Sequence, residues 1–178
     1  MSTSRIPNSK PRLPDDGMRL FLAFICFCAA GCGTVNPLKS TAPSPELVAR
    51  AILQALVVRD AAALHRIALT EYEFRDHVWP QLPAARPERN LPFSYVWGDL
   101  HQKSEQALAR ILQQHGGRRY DLQRVEFAGR TDYATYRVHR EARLHVRDSS
   151  GTAREIRLCG SMVEKEGTWK VFSYVVND

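Results

Sequence analysis

Tyr95, Asp99 and His101 fall close together in FSYVWGDLHQKSE at 93–105, and all three are side chains of the kind that move protons. Trp97 between them would supply an apolar wall to such a site. On a helix Tyr95 and Asp99 stand one turn apart and share a face, whereas His101 points elsewhere and pairs with Glu105. The same spacing also describes an amphipathic helix with an aromatic stripe toward the core and a solvated acidic side, and that is the preferred reading. Tyr95, Trp97 and Asp99 are therefore candidates for lining a ligand pocket, with no catalytic residue assigned. His139, Glu141 and His145 line one face of a strand, but six residues of strand hold the two histidines about 20 Å apart, too far to share one metal. Interleaved with Arg137, Arg143 and Arg147, they are expected to form cross-strand charge pairs on an exposed sheet face. No metal and no cofactor is expected, since no Gly-rich phosphate loop, serine nucleophile elbow or ligand-spaced His/Cys set occurs from residue 33 onward.

The cysteines ask a different question. Cys26, Cys28 and Cys32 crowd into FLAFICFCAAGCGT at 21–34, but tetrahedral metal binding needs a second pair of ligands, and Cys159 stands alone far downstream. One residue separates Cys26 from Cys28, not the two of a thioredoxin-like pair. Met18 and Arg19 instead precede the apolar run Leu20 to Ala30, and the small residues Ala29-Ala30-Gly31 follow, which is the layout of a secretory signal peptide. The run is shorter than the roughly 20 apolar residues that span a bilayer. Ala29-Ala30-Gly31-Cys32 resembles the lipobox of bacterial lipoprotein precursors. That resemblance implies a diacylglyceryl group on the Cys32 sulfur, cleavage of residues 1–31, and a mature protein held to membrane lipid in the bacterial cell envelope, facing the periplasm or the cell exterior. The polar, proline-containing MSTSRIPNSKPRLPDDG at 1–17 is an unusual front for a signal, so Met18 is the expected start. Cys159 is expected to be a buried small apolar residue.

Charge narrows the partners. The chain carries 25 basic and 19 acidic residues, a formal +6 at pH 7, and four of the basic residues precede the cysteine cluster. The excess is spread without a concentrated run, which argues against nucleic acid as a partner. With 44% hydrophobic and 25% charged residues in 178, the composition suits a single globular domain.

The elements that would position the candidates follow from local patterns. GTVNPLKSTAPS at 33–44 has no hydrophobic period, so residues 32–44 read as a lipidated cysteine and a flexible tether of about 20 Å. The domain is then 45–178. Ser44-Pro45 starts a first helix that reaches about Arg59, Asp60 caps a second over Ala61 to Leu69, and Thr70-Glu71-Tyr72-Glu73 matches a capping box for a third that stops near Pro80. Four prolines in 80–92 exclude a helix there. A long helix follows, with Trp97, Leu100, Ser104, Ala107, Leu108, Ile111 and Leu112 on one face and a left-handed stop at Gly116-Gly117. From Tyr120 the period becomes two, giving strands from Tyr120 to Ala128 with a bulge, through Tyr136 to Val146, from Ala153 to Glu164, and from Thr168 to Val176. Helices first and hairpins afterwards predict an α+β domain in which three short helices and one long helix pack on a curved, four-stranded antiparallel sheet.

AILQALVVRDAAALHRIA at 51–68 and GTWKVFSYVV at 167–176 resemble the opening helix pair and last strand of the nuclear-transport-factor-2-like superfamily, the cystatin-like roll. This resemblance implies a sheet wrapped around a helical layer and a pocket between them. The leading expectation is a membrane-tethered, non-enzymatic module whose partner is a small apolar ligand or another envelope protein. The alternative is a small acid–base enzyme of isomerase, cyclase or dehydratase type using Asp99 and Tyr95.

Overall fold

Ser44 opens the first helix, α1 (Pro45–Val57): its hydroxyl accepts the Leu47 N–H at 3.3 Å, and proline at the first position leaves no amide to satisfy. Val48, Ile52 and Leu56 recur at helical spacing on its buried face. The computed structural model describes residues 37–176; the signal segment, Met18 and Cys32 lie outside the described residues. Asp60 caps α2 (Ala61–Ile67), accepting the Ala63 N–H at 2.9 Å. The capping box forms as its residues predict, with Thr70 accepting from the Glu73 N–H and Glu73 from the Thr70 N–H. The helix it opens, α3 (Glu71–Glu73), runs on through a π turn at Phe74–Val78 and a 3-10 turn at Trp79–Gln81. The proline-rich segment folds as two further 3-10 turns, Pro83–Ala85 and Pro87–Arg89. The long helix, α4 (Phe93–His115), follows Pro92, whose extended backbone is its N-cap. Of the two glycines that end it, only Gly117 is left-handed (φ 83°), and it donates to the Leu56 carbonyl at 2.9 Å, tying α4 to the end of α1. Gly116 has a different reason to be glycine, since a Cβ there would stand 2.3 Å from the Leu112 carbonyl oxygen.

Among the described residues the sheet has five strands and not the four expected: β1 (Tyr120–Asp132), β2 (Arg137–Asp148), β3 (Ala153–Ile156), β4 (Cys159–Lys165) and β5 (Thr168–Tyr174). All pairings are antiparallel in the order β1-β2-β4-β5, with β3 also on β2. The expected third strand is split because its register on β2 slips. Leu144 faces Ile156 while Arg140 faces Ser161, so four steps along β2 are met by five along its partner. The surplus residue lies at 157–160, and Glu141 opposite takes a left-handed φ of 54°. The bulge expected in β1 falls between Leu122 and Arg124. The hairpins turn at Ser149-Ser150 and at Glu166-Gly167, where glycine at 151 and 167 supplies the positive φ.

The outer edge of β5 is covered. Ala42 and Trp169 exchange backbone bonds at 3.0 and 2.7 Å, Leu69 N–H donates to Val171 at 2.9 Å, and the Tyr174 N–H donates to the Ser104 hydroxyl at 3.0 Å. The first of these contacts corrects the tether. Besides the Ala42 bridge, Leu38 packs against buried apolar residues and the Lys39 N–H donates to Glu73 at 2.7 Å, so the chain is fixed from Leu38 onward.

Two apolar clusters fill the domain. One joins α1, α2 and the second half of α4 to the sheet through residues such as Ile52, Leu64, Ile111 and Leu144. The other surrounds Phe74, Val78, Tyr136 and Val163 and receives the first turns of α4. Beside the second, the Lys170 ammonium meets both Glu73 oxygens at 2.7 and 2.8 Å, each side chain nearly inaccessible to solvent.

Candidate functional site

Three chain segments meet beside the middle of α4: the α2–α3 junction, α4 itself and the end of β5. They enclose a groove of about 300 Å³. Its apolar lining is Ala68, Leu69, Trp97, Leu100 and Phe172, and its polar rim is His65, His101 and Glu105. Glu105 faces both imidazoles through one oxygen, with His65 Nδ1 at 3.3 Å and His101 Nδ1 at 3.9 Å. The His101 ring stacks on the Trp97 indole, centroids 5.4 Å apart and 11° from parallel, while Phe74 lies 5.3 Å from the same indole.

The other polar groups of the groove are consumed by the fold. Tyr174 donates its hydroxyl to the Leu64 carbonyl at 2.6 Å, and burial raises its pKa far above the ordinary tyrosine value. Ser104 accepts from the Tyr174 backbone, and Thr70 exchanges bonds with Glu73. What remains for a ligand is an apolar slot with a half-exposed imidazole–carboxylate–imidazole rim and, at its edge, the exposed Glu71 carboxylate paired with Arg75. Such a rim accepts hydrogen bonds or positive charge at Glu105 and donates or accepts at the ring nitrogens.

The sequence candidates divide. Trp97 lines the groove, half-buried, and not fully buried as a core aromatic would be. Tyr95 is 67% exposed and Asp99 pairs with Lys103 at 2.8 Å on the solvent side of α4; neither lines the groove or any other hollow described. The expected pairing of Tyr95 with Asp99 on one face places both away from the groove, while His101 and Glu105, read as a separate pair, form its rim. His65, Phe172 and the Leu64 carbonyl come from α2 and β5, and no spacing in the chain announces that they meet α4. Phe127 and Trp169 stack 6.0 Å apart in a separate group with His139. Three larger hollows are described: two of about 480 and 580 Å³ adjoin Arg119 and Tyr120 without a histidine, and a shallow one of about 450 Å³ lies over the sheet face at His145 and Glu155.

The strand-face histidines behave as charge pairs. His145 Nε2 lies 2.9 Å from Glu126 across the β1–β2 ladder, and His139 Nε2 lies 2.8 Å from Glu164, which Arg137 also reaches at 2.9 Å. Among the described residues no group of three or more His, Cys, Asp or Glu is placed to hold a metal. Cys159 is fully buried, and burial pushes its thiol up to about 12, so it is no nucleophile at neutral pH.

Comparisons of the chain with protein-family models, curated proteins and solved structures find no match.

Proposed function

We propose that the chain is a bacterial envelope lipoprotein, lipidated on Cys32, whose α+β domain is a ligand- or protein-binding module of the cystatin-like roll type. The observation that carries the anchoring is Ala29-Ala30-Gly31-Cys32 after a short apolar run with a basic start. The order of elements, helices first and antiparallel hairpins after, supports the roll, and the groove over Trp97, Leu100 and Phe172 is the binding place that order provides. A modest apolar slot with a few convergent polar groups suits a small, largely apolar ligand with a hydrogen-bond donor or positive charge at one end. Lipidation is tested by the mass of the amino-terminal peptide and by detergent partitioning. Wild type partitions into detergent with lipid on Cys32, Cys32→Ala stays aqueous, and an unmodified wild-type Cys32 refutes the reading.

A second reading, acid–base catalysis, is favoured by one observation: Glu105 sits between two imidazoles at the rim. On this reading proton transfer belongs to His65, His101 and Glu105, and not to Asp99 and Tyr95. Glu105→Gln separates the two, because it removes a proton acceptor at nearly constant volume. A folded Glu105→Gln protein that still binds ligand but no longer complements a deletion strain supports the enzyme; one that complements supports the binding module.

A further inference from the structure

We propose that the chain carries a second binding site, at the end of the domain where α1 and α4 both stop, and that it takes a phosphate group borne on an apolar tail. The site shares no residue with the Trp97 groove and needs no lipid on Cys32, so it stands or falls apart from the function proposed above. Its two hollows, of about 480 and 580 Å³, adjoin, because Arg119 and Tyr120 line both. The first lies between α1 and β1, with Leu53, Val57, Val58 and Leu122 as its apolar lining and Arg50 beside them. Val58 is 70% exposed, the most exposed large hydrophobic residue among those described. The second lies between the α4–β1 junction and the β2–β3 hairpin and is lined by Arg118, Arg154, Ser149 and Ser150. An apolar half that adjoins a basic half is complementary to an amphiphile with an anionic head.

The basic half is assembled by the fold. Arg50, Arg118, Arg119 and Arg154 come from three separate stretches, which is why the positive excess reads as dispersed along the chain. Gly117 turns left-handed and donates to the Leu56 carbonyl, bringing Arg118 and Arg119 to the end of α1, and the pairing of Tyr120 with Asp148 sets the β2–β3 hairpin beside them. Among the described residues neither Arg118 nor Arg119 has an acidic partner. Arg50 spends one terminal nitrogen on the Leu122 carbonyl at 3.4 Å, and Arg154 meets Asp148 through Nε, leaving its own terminal nitrogens over. Asp148 is the one carboxylate lining either hollow, and it is taken up by Arg154, the Ser150 amide and hydroxyl and the Thr152 amide. Two helix C-termini would oppose an anion if their carbonyls were free. They are engaged: Leu56 accepts from the Arg59 and Gly117 amides, Leu112 from Gly116, and Gly116 from the Arg59 guanidinium at 3.0 Å. Guanidinium groups arriving from several segments match the several oxygens of a phosphate. A nucleic acid would leave the apolar half unused and calls for a longer basic stripe.

The test titrates the full-length protein, in a nonionic detergent, with dihexanoyl phosphatidic acid, inorganic phosphate, dihexanoyl phosphatidylcholine and a short DNA duplex, following the heat of binding. Phosphatidic acid is expected to bind about tenfold more tightly than inorganic phosphate, which lacks the tail, and than phosphatidylcholine, whose choline cancels the head charge. Arg118→Gln with Arg119→Gln should weaken phosphatidic acid about tenfold or more and leave the melting temperature unchanged, while Arg130→Gln, an exposed arginine of β1 outside both hollows, should leave binding as it was. Val58→Asn, a neutral change at an exposed position, should weaken phosphatidic acid about threefold without touching inorganic phosphate, which keeps the test decisive if the arginine variant folds poorly. Inorganic phosphate binding as tightly as phosphatidic acid overturns the amphiphile. A duplex that binds more tightly than phosphatidic acid assigns the arginines to nucleic acid and overturns it equally. Phosphatidic acid that does not bind, or whose binding survives both the arginine and the Val58 variants, overturns the site.

Discussion

At the scale of single residues, Glu73 and Lys170 carry the largest local stake. Burial works against the Glu73 charge, yet Lys170 and the Thr70 and Lys39 amides together hold its pKa below the ordinary carboxylate value; burial in turn lowers that of Lys170. Glu73→Leu is expected to lower stability by about 3–5 kcal/mol, because it strands a buried ammonium and frees two backbone amides. Lys170→Met with Glu73→Leu should recover part of that loss, and chemical denaturation of both variants checks it. His77 is the opposite case. It is 5% exposed and its Nε2 finds no hydrogen-bond partner among the described residues. His77→Phe is therefore expected to leave stability unchanged or raise it by about 1 kcal/mol, since the lost atom was desolvated without compensation. On α4, Trp97→Ala should cost about 2–3 kcal/mol, less than a fully buried ring would, while Asp99→Asn should stay within about 0.5 kcal/mol because its partner Lys103 is a surface neighbour. Melting temperatures of the two variants order them.

At the scale of elements, the junction between α4 and β1 depends on two glycines for two reasons. Gly116→Ala forces a Cβ against the Leu112 carbonyl and the Arg59 side chain, and Gly117 must be left-handed to reach Leu56. Gly116→Ala is expected to lower the melting temperature by several degrees through backbone displacement, and hydrogen exchange should localise the loss to the ends of α1 and α4. The helix starts were legible because a cap is a local contract: Ser44, Asp60 and Thr70 each bond within three residues. The split of the third strand was not legible, because the residue that slips register is defined only by which positions of β2 it faces.

At the scale of the whole molecule, pH reports on how the pieces hold together. His115 ends α4 with Nδ1 3.0 Å from the Tyr120 hydroxyl, and burial first, then the Arg118 charge, depresses its pKa below the ordinary 6.5. The unfolded chain therefore takes up a proton that the folded chain resists. The His115 contribution is fully present above about pH 6.5 and is lost as pH falls below it. Melting temperature should decline between pH 7 and pH 5, and His115→Gln should flatten that part of the profile. A second decline, from protonation of Glu73, belongs below the ordinary carboxylate range.

The α+β class, the three caps, the β1 bulge, the Pro-rich break and the charge pairing of the strand histidines were all readable in the chain, because each rests on neighbours or on a period of two or three to four. Which α4 side chains face the groove was decided by tertiary structure: His101 and Glu105 acquire meaning only when His65 and Phe172 arrive from other elements. The tether shows the same limit most clearly. GTVNPLKSTAPS has the composition of a free linker, and nothing local in it distinguishes Leu38, Lys39 or Ala42 from solvent-exposed coil. Their partners, Glu73 and Trp169, lie far along the chain, and long-range backbone bonding leaves no mark on the composition of the segment that makes it.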